Sequence, residues 1–152
     1  MSNLQIHFLR LLLFLFLQSF IFNQLEISAS IHIMIAPLYI FLLPFDRSVI
    51  SLLFIALVMG VAIDATSNTF GLHTSSLLLF AYLRPVIFRV FSPRDGYDSL
   101  KNPSIFDMGN KWFISTFSIL LFSHHLWFFI LEAFSFSETL LILQKTILSG
   151  VI

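Results

Sequence analysis

Apolar residues run almost without pause from one end of this chain to the other, and short polar turns cut them into blocks. Six blocks are long enough to be helices that cross a bilayer: about residues 5–23, 31–45, 48–65, 69–91, 111–134 and 137–152. The second is the shortest and carries Pro37 and Pro44. Pro44 is expected to end it, and Pro37 to kink it and free a carbonyl, which gives a tilted or broken helix. The sixth is also short and has no basic stop after Ile152, so it reads as a tilted helix or one cut short. The stretch 92–110, SPRDGYDSLKNPSIFDMGN, is the one substantial loop. In it Pro93 and Asp95-Gly96 signal a turn, and Asn102-Pro103 a second break.

Composition fixes the solvent. Of 152 residues, 58% are hydrophobic and 11% charged, with a mean hydropathy of +0.95; soluble chains carry roughly 25% charged residues. Six spans of about 20 residues leave about 30 for connections. The expected fold is therefore all-α: one integral-membrane domain, a compact polytopic bundle of about six transmembrane helices. A net charge of zero offers nucleic acid nothing. The absence of cysteine rules out disulfides, thiolate metal sites and a cysteine nucleophile. Arg10, the apolar run after it and the small residues Ser28, Ala29 and Ser30 imitate a secretory signal. Glu26 and the equally apolar remainder favour an uncleaved first span.

The basic residues sort by side. Arg10 lies near the amino terminus, Arg47 between spans two and three, and Arg84, Arg89, Arg94, Lys101 and Lys111 around the loop between spans four and five. The turns at Glu26, at Asp64 and at Glu132 to Glu138 hold no lysine or arginine. Cytoplasmic turns collect basic residues, so both termini and the even-numbered turns are expected inside the cell. Arg84 and Arg89 are expected at the cytoplasmic interface. Lys145, in the sixth span, fits this pattern poorly; it is expected to snorkel or to face an acid such as Glu132 or Glu138.

The polar residues inside the spans are the candidate sites. Ala56, Gly60 and Asp64 fall four apart on one stripe of span three. Ala56 and Gly60 form a small-xxx-small seam where another helix approaches, a candidate surface for a partner. Asp64 sits at a helix carboxyl end, where the dipole already repels it. The start of span four offers the remedy: Ser67, Asn68 or Thr69 as a cap, Gly71 for a left-handed turn, and His73 as a further donor. This hinge reads as a lock between two helices, as a proton or ligand site at Asp64 and His73, or as a partner contact. His124 and His125 project about 100° apart and are expected to bond hydroxyls or carbonyls rather than one shared haem or metal.

Catalytic signatures are missing. There is no Gly-x-Ser-Gly nucleophile, no His-Glu-x-x-His, no phosphate-cradling glycine loop, and Asp95-Gly96 lacks the paired acids of CDP-alcohol transferases. Leu83-Arg84-Pro85 is a fragment of the lipid-phosphatase signature without the Pro-Ser-Gly-His element that follows it. The expectation is a non-catalytic protein with no cofactor and no metal.

Residues 56–98 resemble the rod-shape-determining MreD family. The likeness rests on Gly60, Asp64, Ser67-Asn68, Gly71-Leu72-His73, Ala81-Tyr82-Leu83-Arg84-Pro85 and Pro93-Arg94-Asp95-Gly96-Tyr97. The resemblance implies a subunit of the bacterial cell-elongation machinery in the inner membrane, pairing directly with MreC and linked to MreB, RodA and a penicillin-binding transpeptidase. It implies an architecture related to the substrate-binding components of energy-coupling-factor importers, and a family signature at Gly60, Asp64, Asn68, Gly71, His73, Tyr82 and Arg84. Self-association is a further expectation. The alternative is a small-molecule-binding subunit of such an importer, although RLLLFLFLQSFIF in span one lacks that group's Ala-x-x-x-Ala seam.

Overall fold

The computed structural model describes residues 3–24, 31–98, 101–134 and 139–151, and among these the chain is all helix, without a strand. Helix α1 (Asn3–Phe16) widens into a π turn over Leu17–Ile21 and ends in a 3₁₀ turn, Phe22–Gln24. An extended stretch, 31–35, leads to the short α2 (Ala36–Phe41). Then follow α3 (Val49–Ser67), α4 (Leu72–Val90), α5 (Ile105–Met108), α6 (Asn110–Ala133) and α7 (Thr139–Val151). The sequence readings placed on Glu26, on Ser28 to Ser30 and on Glu138 lie outside the described residues.

Two helices, α3 and α6, are long and apolar enough to cross a membrane, with mean hydropathies of 2.3 and 1.6 over their best windows. Their outward faces are as greasy as their inward ones. Ile50 is 80% exposed and Phe54 and Val61 more than half exposed, on a helix whose other side is the core. A water-soluble helix shows a polar stripe where α3 shows isoleucine, phenylalanine and valine.

The packing order is simple. α3 lies against α4, α4 against α6, and α6 against α7. Between them the buried core holds Phe41, Leu52, Met59, Ile63, Phe80 and Leu120. Gly60 is where α3 and α4 come closest: a Cβ there would stand 2.4 Å from the Cα of Thr74. Only a residue without a side chain permits that approach. Ala56, one turn earlier, is fully buried. Gly60 is thus covered by α4 of the same chain and Ala56 is closed off within its core, which corrects the expectation that the stripe greets a partner.

The second block departs from a continuous span. Pro37 does not kink a helix; it stands in the first turn of α2, where its missing N–H is no loss. The chain is already non-helical before it, and α2 stops three residues short of Pro44. The broken-helix expectation holds, with the break on the amino side of Pro37.

At the α4–α6 end of the core an aromatic cluster takes over. Phe45 stacks on Tyr97 at 4.2 Å between ring centroids, and Trp112 lies against Phe88 at 5.1 Å. The Tyr97 hydroxyl donates to the Phe88 carbonyl at 2.6 Å, and Trp112 Nε1 donates to the Phe91 carbonyl at 3.1 Å. Burial raises the Tyr97 phenol above its usual range, so it stays a protonated donor. The turn expected at Pro93 to Gly96 is present: the Gly96 N–H donates to the Pro93 carbonyl at 3.0 Å, and Gly96 takes φ +77°. Helix α5 occupies part of 92–110, which the sequence reading treated wholly as loop.

Candidate functional site

The hinge between α3 and α4 is built around one carboxylate. α3 ends at Asn68 in the left-handed conformation (φ 55°), and the chain turns through Phe70 (φ 45°) and Gly71 (φ 96°) into α4. Left-handed backbone is natural for glycine and tolerable for asparagine; for phenylalanine it is strained. That strain is held by what the turn delivers. Asp64 Oδ1 accepts from the Thr69 hydroxyl at 2.5 Å and the His73 N–H at 3.0 Å. Oδ2 accepts from the Thr74 N–H at 2.9 Å and the Thr74 hydroxyl at 2.6 Å.

Four donors therefore surround a buried carboxylate. Two are free N–H groups of the first turn of α4, where the helix dipole favours negative charge. The cap of α4 is Asp64 itself, since the N-cap residue, Gly71, has no side chain to offer. Ser67 is engaged elsewhere: its hydroxyl accepts from Asn23 Nδ2 at 2.5 Å, tying α3 to the end of the first helix. His73 contributes its backbone, while its imidazole lies 4.9 Å from the Phe128 ring. Gly60, Asp64, Asn68, Gly71 and His73 thus come together, as the sequence indicated. Thr74 was not singled out there; its position one turn into α4, opposite Gly60, was the available signal.

Tyr82 and Arg84 stand apart from that hinge. Tyr82 is 58% exposed. Arg84 is eleven residues beyond His73, about 16 Å along the helix, and is 1% exposed, buried inside the protein. Its Nε and Nη2 donate to the Phe41 carbonyl at 3.3 and 3.1 Å, and Nη2 also donates to the carbonyls of Leu43 and Pro44. These carbonyls belong to the end of α2 and the chain just beyond it. Arg84 is turned inward for that reason: the broken helix needs donors inside the protein. Arg89, one turn on, is exposed as expected.

The opposite end of α2 has its own clamp. Gln18, buried in the π turn, accepts at Oε1 from the N–H groups of Ile35 (2.7 Å) and Ala36 (3.2 Å). Its Nε2 donates to the Ile33 carbonyl at 3.0 Å. A six-residue helix is thus held at both ends by long polar side chains from α4 and the first helix. The sequence analysis named neither role, although two prolines in a short apolar block signal unpaired backbone.

The remaining polar residues divide. Lys145 reaches Glu132 at 2.9 Å, and His32 lies 3.9 Å from the same carboxylate; Glu132 is one of the two acids considered, and Glu138 lies outside the described residues. His125 Nδ1 lies 2.9 Å from the Leu121 carbonyl, a bond of the expected kind. His124, its ring 5.3 Å from that of His125, is buried, and among the described residues neither of its nitrogens has a hydrogen-bond partner, against the expectation of a hydroxyl or carbonyl. No protein-family model, curated protein or solved structure matches this chain.

Proposed function

We propose that this chain is a non-catalytic integral-membrane subunit of the bacterial cell-elongation complex, related to MreD. It threads the inner membrane about six times with both termini in the cytoplasm. In this role it works beside MreC and is linked to MreB, RodA and a penicillin-binding transpeptidase. The reading rests on the resemblance over residues 56–98 and on one observation above all. The signature residues Gly60, Asp64, Asn68 and Gly71 form a single hinge, each given work that its residue type does well, and His73 adds a backbone N–H to it. Glycine admits a neighbouring backbone, aspartate caps the next helix, and asparagine and Gly71 turn the chain.

Support for the membrane part comes from the apolar outer faces of α3, α4 and α7, including Ile50, Val90 and Leu140. The hinge acts as a lock that sets the angle between two helices, and the chain then serves as a scaffold. Any surface for MreC lies away from Ala56 and Gly60, which are already occupied.

The test is deletion and complementation in a rod-shaped host. Depletion rounds the cells, and the intact chain restores rods. Failure of a membrane-inserted chain to restore them overturns the proposed role. Reporter fusions at Asn68 and Gly96 are expected in opposite compartments; the same compartment for both overturns the topology.

A further inference from the structure

At the end of the bundle where α2 stops, α3 begins and α4 finishes, three arginines line one cleft. A cleft of about 240 Å³ is lined by Arg47, Arg84 and Arg89 together with Phe45, Phe88 and Tyr97. No carboxylate lines it, and among the described residues none of the three arginines forms an ion pair. Asp46, next to Arg47 in sequence, is not part of its wall.

The three arginines have different duties. Arg84 is fixed: its Nε and Nη2 are spent on carbonyls at the end of α2 and just beyond it, and its guanidinium carbon sits 4.6 Å over the Phe88 ring. Arg47 and Arg89 are exposed at the mouth. Three arginines line one space, and an anion placed there is attracted by each of them. Guanidinium forks suit phosphate oxygens, two N–H groups to one group.

The surroundings select the source of that phosphate. Immediately beside the mouth the surface turns apolar, with Ile50 80% exposed after Arg47 and Val90 73% exposed after Arg89. On the membrane reading, this is the border between headgroups and acyl chains. A soluble anion would leave those side chains unused; a lipid covers them with its tails.

We propose that this cleft binds the phosphate headgroup of an anionic phospholipid of the cytoplasmic leaflet. The site depends on the membrane reading, and not on the elongation role. Basic pockets between helices on the cytoplasmic side suit such headgroups.

The test uses the purified full chain in detergent with defined lipids and native mass spectrometry. Dioleoylphosphatidylglycerol is expected to be retained in preference to dioleoylphosphatidylcholine. In the double variant R47Q/R89Q, which spares Arg84, retention falls about 30-fold, from about a factor of five for each surface arginine. Equal retention of the two lipids by the unaltered chain overturns the proposal. So does a preference that survives R47Q/R89Q, which would place the lipid elsewhere. Displacement of phosphatidylglycerol by glycerol 3-phosphate at equal concentration overturns the lipid assignment and leaves a small-anion site. If the double variant aggregates, the unaltered chain decides: a preference for phosphatidylglycerol that is insensitive to 1 M salt defeats an electrostatic cleft. Lipid retention is read without cells, so it and the shape-rescue experiment fail separately.

Discussion

Replacing Asp64 tests how the two central helices are joined. In Asp64→Ala the four donors that surround the carboxylate lose their acceptor. The hydroxyls of Thr69 and Thr74 rotate and find backbone carbonyls, as threonines in helices do. The N–H groups of His73 and Thr74 have no such freedom. Two buried donors left unmet cost about 1–3 kcal/mol each, so the variant is expected to lose about 2–6 kcal/mol. Asp64→Asn falls between: one oxygen still accepts, while the amide NH₂ faces the Thr74 N–H donor. Thr74→Val removes one hydroxyl and costs about 1 kcal/mol. The order of stability is therefore wild type, then Thr74→Val, then Asp64→Asn, then Asp64→Ala, measured by reversible unfolding in mixed micelles. In the double variant the Thr74 effect shrinks, because its partner is already gone. If Asp64→Ala unfolds within 0.5 kcal/mol of wild type, the hinge is not held by this carboxylate. A stable Asp64→Ala that still fails to restore rods would instead give Asp64 a role beyond the lock.

Three further outcomes follow from the packing. Gly60→Ala drives a methyl into the Thr74 backbone and is expected to destabilise by about 1–3 kcal/mol, with Gly60→Val worse; the same unfolding assay reads it, and a neutral Gly60→Ala would mean α3 and α4 part easily. Arg84→Ala unpairs the carbonyls of Phe41 and Leu43, while that of Pro44 keeps the Arg47 N–H, and is expected to cost at least about 2 kcal/mol, with Arg84→Lys recovering part of it; equal loss in both variants would show that charge plays no part. His124→Leu removes a buried ring whose nitrogens lack partners; stability is expected unchanged or raised by about 1 kcal/mol, and a clear loss would reveal an acceptor or donor for that ring.

How much of this could be read from the residues depends on whether the signal was local. The edges of α3, α4 and α6 followed from apolar runs read as 48–65, 69–91 and 111–134, and the structure differs from them by about three residues or fewer. The hinge was legible because a carboxylate at a helix end needs donors, and the nearest ones lie a few residues downstream. Arg84 was not legible. Its position after an apolar run, beside a basic loop, is the signature of an interfacial arginine. What overrides it is the end of α2, forty residues earlier, whose depth no local pattern encodes. The Ala56/Gly60 seam failed in a related way: small residues declare that some backbone comes close, without saying whose. Gln18 was passed over because one amide in an apolar helix carries no spacing rule.

The clamps on α2 have a consequence for synthesis. Gln18 is made before the segment it holds, whereas Arg84 follows Leu43 by 41 residues. Until that guanidinium leaves the ribosome, the end of α2 faces unanswered carbonyls that hydrocarbon will not accept. On the membrane reading proposed above, the region around Pro37 and Pro44 waits, at the translocon or at the headgroups, until α3 and α4 have been produced. Its final seating then comes after that of helices translated later than it.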